Sequence, residues 1–217
     1  MTEEHPVEDR VREKADNAFR ADVLLSSARM DWCTPPEVLG PIRRLAPDGQ
    51  VGLDPCASQL GHVLACEEWF GPTVGYHNGT DLDGFPREQL CGAMDGLREP
   101  WAGHGLAFAN PPYGRGVAAW ARKASVEGQR MRGLDQLVLL VAARTDTAWF
   151  REAISHAGAV YFWPGRIRFL GADAPAPFPS VLIYWGEDPR AFVELWRGSG
   201  GWSSLGGAQG GGLEVML

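Results

Sequence analysis

A chain of 217 residues with 45% hydrophobic content can bury one sizeable core, and roughly 100 to 200 residues per domain favours a single globular unit over a fibrous or wholly disordered chain. A formal net charge of −7 argues against coating nucleic acid by bulk electrostatics. The longest apolar stretch, Leu137 to Ala143, is far short of the ~20 residues that span a bilayer.

No basic-then-apolar leader opens the sequence, and Cys33, Cys56, Cys66 and Cys91 contain no CxxC pair. Reduced thiols in a cytoplasm are the simplest expectation. The charge is also unevenly spread. Nine of the 20 basic residues, against four acidic ones, fall between Tyr113 and Leu170, making that stretch locally positive. Eighteen of the 20 are Arg, whose planar fork suits bidentate contact with phosphate or carboxylate, although genome composition accounts for Arg excess equally well.

Residues 1–30 mix charges with scattered apolar positions and read as an arm, helical or partly disordered, with no assignable chemistry. Thr34-Pro35-Pro36-Glu37 has the form of a capping box, with Thr at the cap, Pro at the first helical position and Glu three residues after the cap, and predicts a helix from about Pro35 to Ala46. After the Pro47-Asp48-Gly49 turn comes a short strand, Val51-Gly52-Leu53, ending at Asp54-Pro55. A helix near Gln59 to Phe70, a strand at Thr73 to His77 and a turn-rich stretch from Asn78 to about Gly103 follow. Leu106-Ala107-Phe108-Ala109 is too short for a helix and stops at Asn110-Pro111-Pro112-Tyr113, a buried strand delivering a polar loop.

Helical spacing of Val117, Trp120 and Ala124 predicts a helix over Gly116–Met131, and Gln136–Ala143 is a continuously apolar strand. A helix at Asp146–Ala157, strands at Ala159–Trp163 and Ser180–Trp185, and a short helix at Asp188–Arg197 complete a main domain of residues 31–197. Residues 198–217, rich in Gly, are expected to form a flexible tail. Strands that are apolar throughout and alternate with helices indicate an α/β fold with a mostly parallel sheet covered on both faces.

In such a sheet, ligands sit outside the carboxyl ends of the strands, where Asp54-Pro55-Cys56-Ala57 and Asn110-Pro111-Pro112-Tyr113 would share one crevice. Successive prolines remove two backbone donors and stiffen the turn, so the corner presents acceptors: the Asn110 side-chain carbonyl and nearby main-chain carbonyls. Such an edge suits a planar amino group. The lone pair of adenine's exocyclic NH2 is delocalised into the ring, and acceptors that hold its hydrogens out of plane return electron density to the nitrogen. Tyr113 adds an aromatic face for a base swung out of its stack, worth roughly 1 to 3 kcal/mol.

These residues resemble the phage-type DNA N6-adenine methyltransferases, a Dam-like family. The likeness runs from about Asp31 to Trp185 and takes in Trp32-Cys33-Thr34-Pro35, Asp54-Pro55-Cys56-Ala57-Ser58, Asp95-Gly96-Leu97 with Trp101, Asn110 to Gly114, Ala143 to Thr147 with Trp149-Phe150, Gly165 to Phe169, and Ala176 to Ser180.

The resemblance implies a Rossmann-like class I S-adenosylmethionine-dependent methyltransferase with a reversed final strand in a C-terminal β-hairpin. Its substrate would be an adenine flipped from double-stranded DNA. Base readout needs an element that reaches a groove, and the stretch between Asp54 and Asn110 shows no obvious extra domain, so a short or loosely defined recognition site is expected. Asp54, Pro55 and Cys56 would line the S-adenosylmethionine pocket, with Trp32, Thr34 and Pro35 closing it and Asp95 near the cofactor's adenine or serving as an ordinary turn residue. Asn110, Pro111, Pro112 and Tyr113 would grip the target amine.

Arg166 and Arg168 alternate along an extended segment and are expected to meet DNA. Arg144 and Asp146 read as an ion pair or cap. No metal-ligand spacing is present. Two features depart from the pattern: Tyr76-His77-Asn78 offers no acidic residue for the cofactor's ribose, leaving Asp81 or Asp83 as candidates, and the segment from Asn78 to Met94 is long. The same chemistry would suit adenine in RNA or a protein glutamine amide, and a catalytically silent nucleic-acid-binding relative is the rival from another class.

Overall fold

The computed structural model of the chain describes residues 32–57, 68–69, 75–76, 90–91, 95–131, 133–206 and 214–216. The arm at 1–30, most of the helix expected near Gln59, and Asp81 and Asp83 lie outside the described residues.

The first helix among the described residues, α1 (Pro36–Arg43), begins one residue later than expected, with Pro35 as its N-cap and no side-chain cap bond. The capping box does not form, because the Thr34 hydroxyl is engaged elsewhere, as shown below. Backbone bonds from Leu45 to Ile42 and from Ala46 to Arg43 carry the chain onward as a tightened turn.

Among the described residues ten strands follow: β1 (Leu53–Asp54), β2 (Glu68–Trp69), β3 (Gly75–Tyr76), β4 (Leu90–Cys91), β5 (Leu106–Ala109), β6 (Gln136–Ala142), β7 (Ala159–Phe162), β8 (Ser180–Gly186), β9 (Trp202–Leu205) and β10 (Glu214–Met216). The helices among them are α2 (Val117–Arg130), α3 (Ala148–Ser155) and α4 (Pro189–Glu194). Eight strands form one sheet in the order β10-β9-β7-β8-β6-β5-β1-β2, while β3 and β4 pair with each other.

Four of the sequence expectations change here. The strand beside β1 is β2, inside the segment expected to be helical, and the strand expected at Thr73–His77 is the β3 arm of the separate antiparallel pair. The sheet is parallel on one side only: β2, β1, β5 and β6 run together, whereas β8 reverses between β6 and β7 and the pairs onward to β10 are antiparallel. The Gly-rich tail is not all loop, since Trp202–Leu205 pairs with β7 along its full length.

The apolar strands read as continuous runs because both faces are covered. Leu106, Phe108, Val138, Leu140, Leu182 and Tyr184 pack with Val38, Leu39 and Ile42 of α1 and Phe192 and Val193 of α4. The alternate residues Ala107, Ala109, Leu137, Leu139, Val141, Val181 and Ile183 pack with Ala121 and Ala124 of α2 and Phe150 and Ala153 of α3. The period-2 alternation therefore divides two cores rather than core from solvent.

That layering positions the site. From β1 the chain goes to β2 on one side, and β5 lies on the other, with Leu53 opposite Ala107. The order thus switches direction between β1 and β5, and the crevice outside their carboxyl ends is where an open α/β sheet binds ligands. Chain segment 163–179, the strap between β7 and β8, begins at the same edge.

Candidate active site

Asn110 is the first residue beyond β5. Its Nδ2 donates to the Trp32 carbonyl at 2.5 Å and to the Thr34 hydroxyl at 3.0 Å. A carbonyl can only accept, so the nitrogen must face Trp32 and the amide's orientation follows from its chemistry. This is where the Thr34 hydroxyl went. The remaining Asn110 atom, Oδ1, is buried and accepts no hydrogen bond among the described residues. The Tyr113 hydroxyl is likewise buried without a partner, and the Trp32 Nε1–H is buried with no acceptor, among the described residues. A buried polar atom without a partner costs about 1–3 kcal/mol, and here three gather around one corner.

Tyr113 itself is 7% exposed. Its ring stacks on Phe178 at a centroid distance of 4.7 Å and an interplanar angle of 23°, and meets Phe169 and Trp32 edgewise at 5.9 and 6.3 Å. The aromatic face that the sequence offered to a base is therefore occupied by a ring of the strap. Burial pushes the Tyr113 phenol well above its ordinary range, with Cys56 as a second cause, so it stays protonated and cannot serve as a base near neutrality. Gly114, at φ +124°, ends the corner in a conformation that L side chains rarely adopt, and leads into α2.

The Asp54 loop lies on the adjoining strand end. Asp54 is buried, and its Oδ1 accepts the Cys56 N–H at 3.1 Å, an Asx-type turn that fixes the loop. Burial, then the Asp54 charge, pushes the Cys56 thiol up, while the Asn110 backbone pulls it the other way. Cys56 therefore joins the two loops as a neutral thiol.

Asp95 stands apart from this cluster. It is exposed, its Oδ1 accepts from the Leu97 N–H at 3.0 Å, and its other carboxylate oxygen pairs with Arg98 at 3.3 Å. The turn it initiates does touch the cofactor-side loop, because a Cβ on Gly96 would fall 1.9 Å from the Pro55 carbonyl oxygen, so only glycine permits that approach.

Arg166 and Arg168 are exposed and alternate with buried Ile167 and Phe169. The strap is tied down by backbone bonds from Leu170 to Cys33, Ala176 to Ile167 and Trp163 to Ser180. Arg144 forks onto Asp146 at 3.2 and 3.3 Å at the surface. The structure thus joins Trp32, Thr34, Cys56, Asn110 and Tyr113, and leaves the side chains of Asp95, Arg166 and Arg168 outside that contact set. It also adds Phe169 and Phe178, whose only sequence signal was their place in the GRIRF and APFPS matches. Among the described residues, no three His, Cys, Asp or Glu side chains are grouped to hold a metal ion, and no helix is long and apolar enough to cross a membrane.

Residues 88–180 match the family model for DNA N-6-adenine-methyltransferase (Dam). That segment is Dam-like. It carries the Asn110–Tyr113 corner, both strap arginines, Phe169 and Phe178, and at family level it supports adenine methylation of DNA. Trp32, Thr34 and Asp54 precede the Dam-like segment, yet Trp32 and Thr34 hold its Asn110. A crystal structure of Thermoplasma acidophilum 1320 resembles 76% of this chain and 95% of that one, at 15% identity and a TM-score of 0.34, a likeness too slight to bear on function. No curated protein matches the sequence.

Proposed function

We propose that the chain is a Rossmann-like class I methyltransferase that transfers a methyl group from S-adenosylmethionine to the N6 amine of an adenine flipped out of double-stranded DNA. The observation that carries this reading is the Asn110 amide, oriented by Trp32 and Thr34 so that its buried carbonyl oxygen is left without a donor among the described residues, beside the Tyr113 ring. An amine hydrogen is the partner that such an acceptor lacks. The strand order, with β8 reversed at one side and a switch point between β1 and β5, suits the proposed fold.

The described residues fit the cofactor. A sulfonium is a cation, and the buried Asp54 carboxylate at the end of β1 supplies the opposite charge that favours one. Asp54, Pro55 and Cys56 would hold it from the β1 side, with Trp32, Thr34 and Pro35 closing the cleft. When bound, the cofactor supplies a methyl group already activated for transfer.

What the chain does is position and polarise. Asn110 Oδ1 and a main-chain carbonyl of the diproline corner would accept the amine hydrogens and draw the nitrogen lone pair out of conjugation, and the same acceptors would stabilise positive charge that develops on that nitrogen. Tyr113 and Cys56, both held neutral, take no proton, so the amine proton leaves to solvent after transfer. Arg166 and Arg168, on the exposed side of the strap, contact the DNA phosphates.

Incubation with methyl-labelled S-adenosylmethionine and separate pools of unmethylated DNA, RNA and protein tests the reading. Label in DNA, mapped by sequencing as N6-methyladenine, is expected; label only in RNA or in glutamine side chains, or in no pool, overturns it.

A further inference from the structure

We infer that Phe178 is a stand-in for the substrate base: its ring occupies the slot on Tyr113 that an unpaired adenine must take, and it must swing out for the base to bind. The inference rests on the proposed function in that it names the occupant as adenine, but the slot itself is argued from geometry.

Among the described residues, Tyr113 has one stacked neighbour, Phe178, and its two other ring partners meet it edge-on. With Tyr113 7% exposed, no second face of its ring is open to a flat ligand among the described residues. A nucleobase cannot slide between the two rings as they stand, because 4.7 Å between centroids is the spacing of one direct aromatic pair. Three polar atoms around this stack, Asn110 Oδ1, the Tyr113 hydroxyl and Trp32 Nε1, are buried without partners among the described residues. A benzyl side chain can satisfy none of them. A purine that carries an amine and ring nitrogens has the donors and acceptors they lack. The slot is thus filled in shape and empty in chemistry.

Phe178 is also built to leave. It is half-buried, between exposed Pro177 and Pro179. Its anchors lie on either side: the Ala176 N–H bonds the Ile167 carbonyl at 2.8 Å, and the Ala143 N–H bonds the Pro179 carbonyl at 2.8 Å. The ring can therefore rotate outward about its own side-chain bonds while both anchors hold, exchanging a Tyr–Phe stack for a Tyr–adenine stack of similar strength. Until a base arrives, the benzyl ring keeps water from the acceptor corner.

Equilibrium binding of 2′-deoxyadenosine 5′-monophosphate to the full chain, with the cofactor cleft saturated by S-adenosylhomocysteine, tests the inference. Phe178→Leu keeps apolar volume but gives up the aromatic stack, and Phe178→Ala empties the slot. Both are expected to bind the nucleotide about two- to tenfold more tightly than the unmodified chain, the range set by loss of one competing aromatic pair. The gain is expected to vanish when Tyr113→Ala is added. Weaker binding in both variants would make Phe178 a second stacking face for the base and overturn the inference, as would unchanged affinity or a gain that survives Tyr113→Ala. If Phe178→Ala does not fold, as judged by thermal melting, Phe178→Leu decides. Nucleotide binding and the labelled-pool experiment fail independently: a Tyr113-dependent gain without methylated DNA keeps the slot and removes the enzymatic reading, and methylated DNA without the gain does the reverse.

Discussion

Two loops meet at the carboxyl edge of the sheet, and they are built on opposite plans. The Asn110–Tyr113 corner is four residues long, stiffened by two prolines and locked by hydrogen bonds from one amide to Trp32 and Thr34. The strap, 163–179, is long, held by a few backbone bonds, and presents arginines outward and aromatic rings inward. The corner comes from the parallel half of the sheet, where short strand ends aim side chains at the switch point. The strap comes from the antiparallel half, where the chain must turn back to start β8. Precision belongs to the first and reach to the second, and the Tyr113–Phe178 stack is where they touch.

If that division holds, damage to the corner lowers the rate of transfer and loss of the strap's outward arginines weakens DNA binding. The largest effect is expected for Asn110→Ala, which removes the acceptor aimed at the amine: a fall of about 10²–10³-fold in kcat, with a smaller loss of cofactor affinity because the ties to Trp32 and Thr34 go with it, measured by single-turnover methyl transfer and by calorimetric titration of the cofactor. Tyr113→Ala is expected to cost roughly 5- to 150-fold in turnover, as loss of one base–aromatic stack implies, and less in cofactor affinity. Equal losses in both would place Tyr113 in the cofactor cleft.

Charge reversal at Arg166 and Arg168 is expected to weaken DNA binding while leaving the transfer step intact, and to lower the slope of log affinity against log salt by about 2 or more. Unchanged binding would detach the strap from DNA. The smallest effect belongs to Arg144 and Asp146, near the same edge but exposed. The hydrogen bond from Arg144 holds the Asp146 carboxyl below its ordinary range, so any support from the pair is present above the usual carboxylate range and is lost as pH falls through the lowered value. Asp146→Asn is expected to leave turnover and the melting temperature near neutrality almost unchanged.

What could be foreseen from the sequence follows the same physics. β5, β6 and β8 are visible because a strand buried on both faces must be apolar at every position, and helices α2 and α3 because their apolar spacing is local. The capping box at Thr34 misled because a hydroxyl has one best partner, and Asn110, 76 residues away, outcompeted the helix N-terminus beside it. β2 was hidden because Glu68-Trp69 is too short to show a pattern, and β9 because Trp202-Ser203-Ser204-Leu205 is embedded in glycines. The diproline corner was legible as chemistry. Its covering by Phe178 was not, since a stack between two rings so distant along the chain leaves no periodic trace.

The pairing of β9 along the whole of β7 bears on how the protein can be shortened. Stopping the chain before Trp202 would discard more than ornament: β7 would become an outer strand with a bare row of amide and carbonyl groups, a template for self-association. The strap that leaves from its end would then hang from a frayed support. A trimmed protein that aggregates or loses its hold on DNA would be showing the sheet's missing hem, not a missing catalytic group.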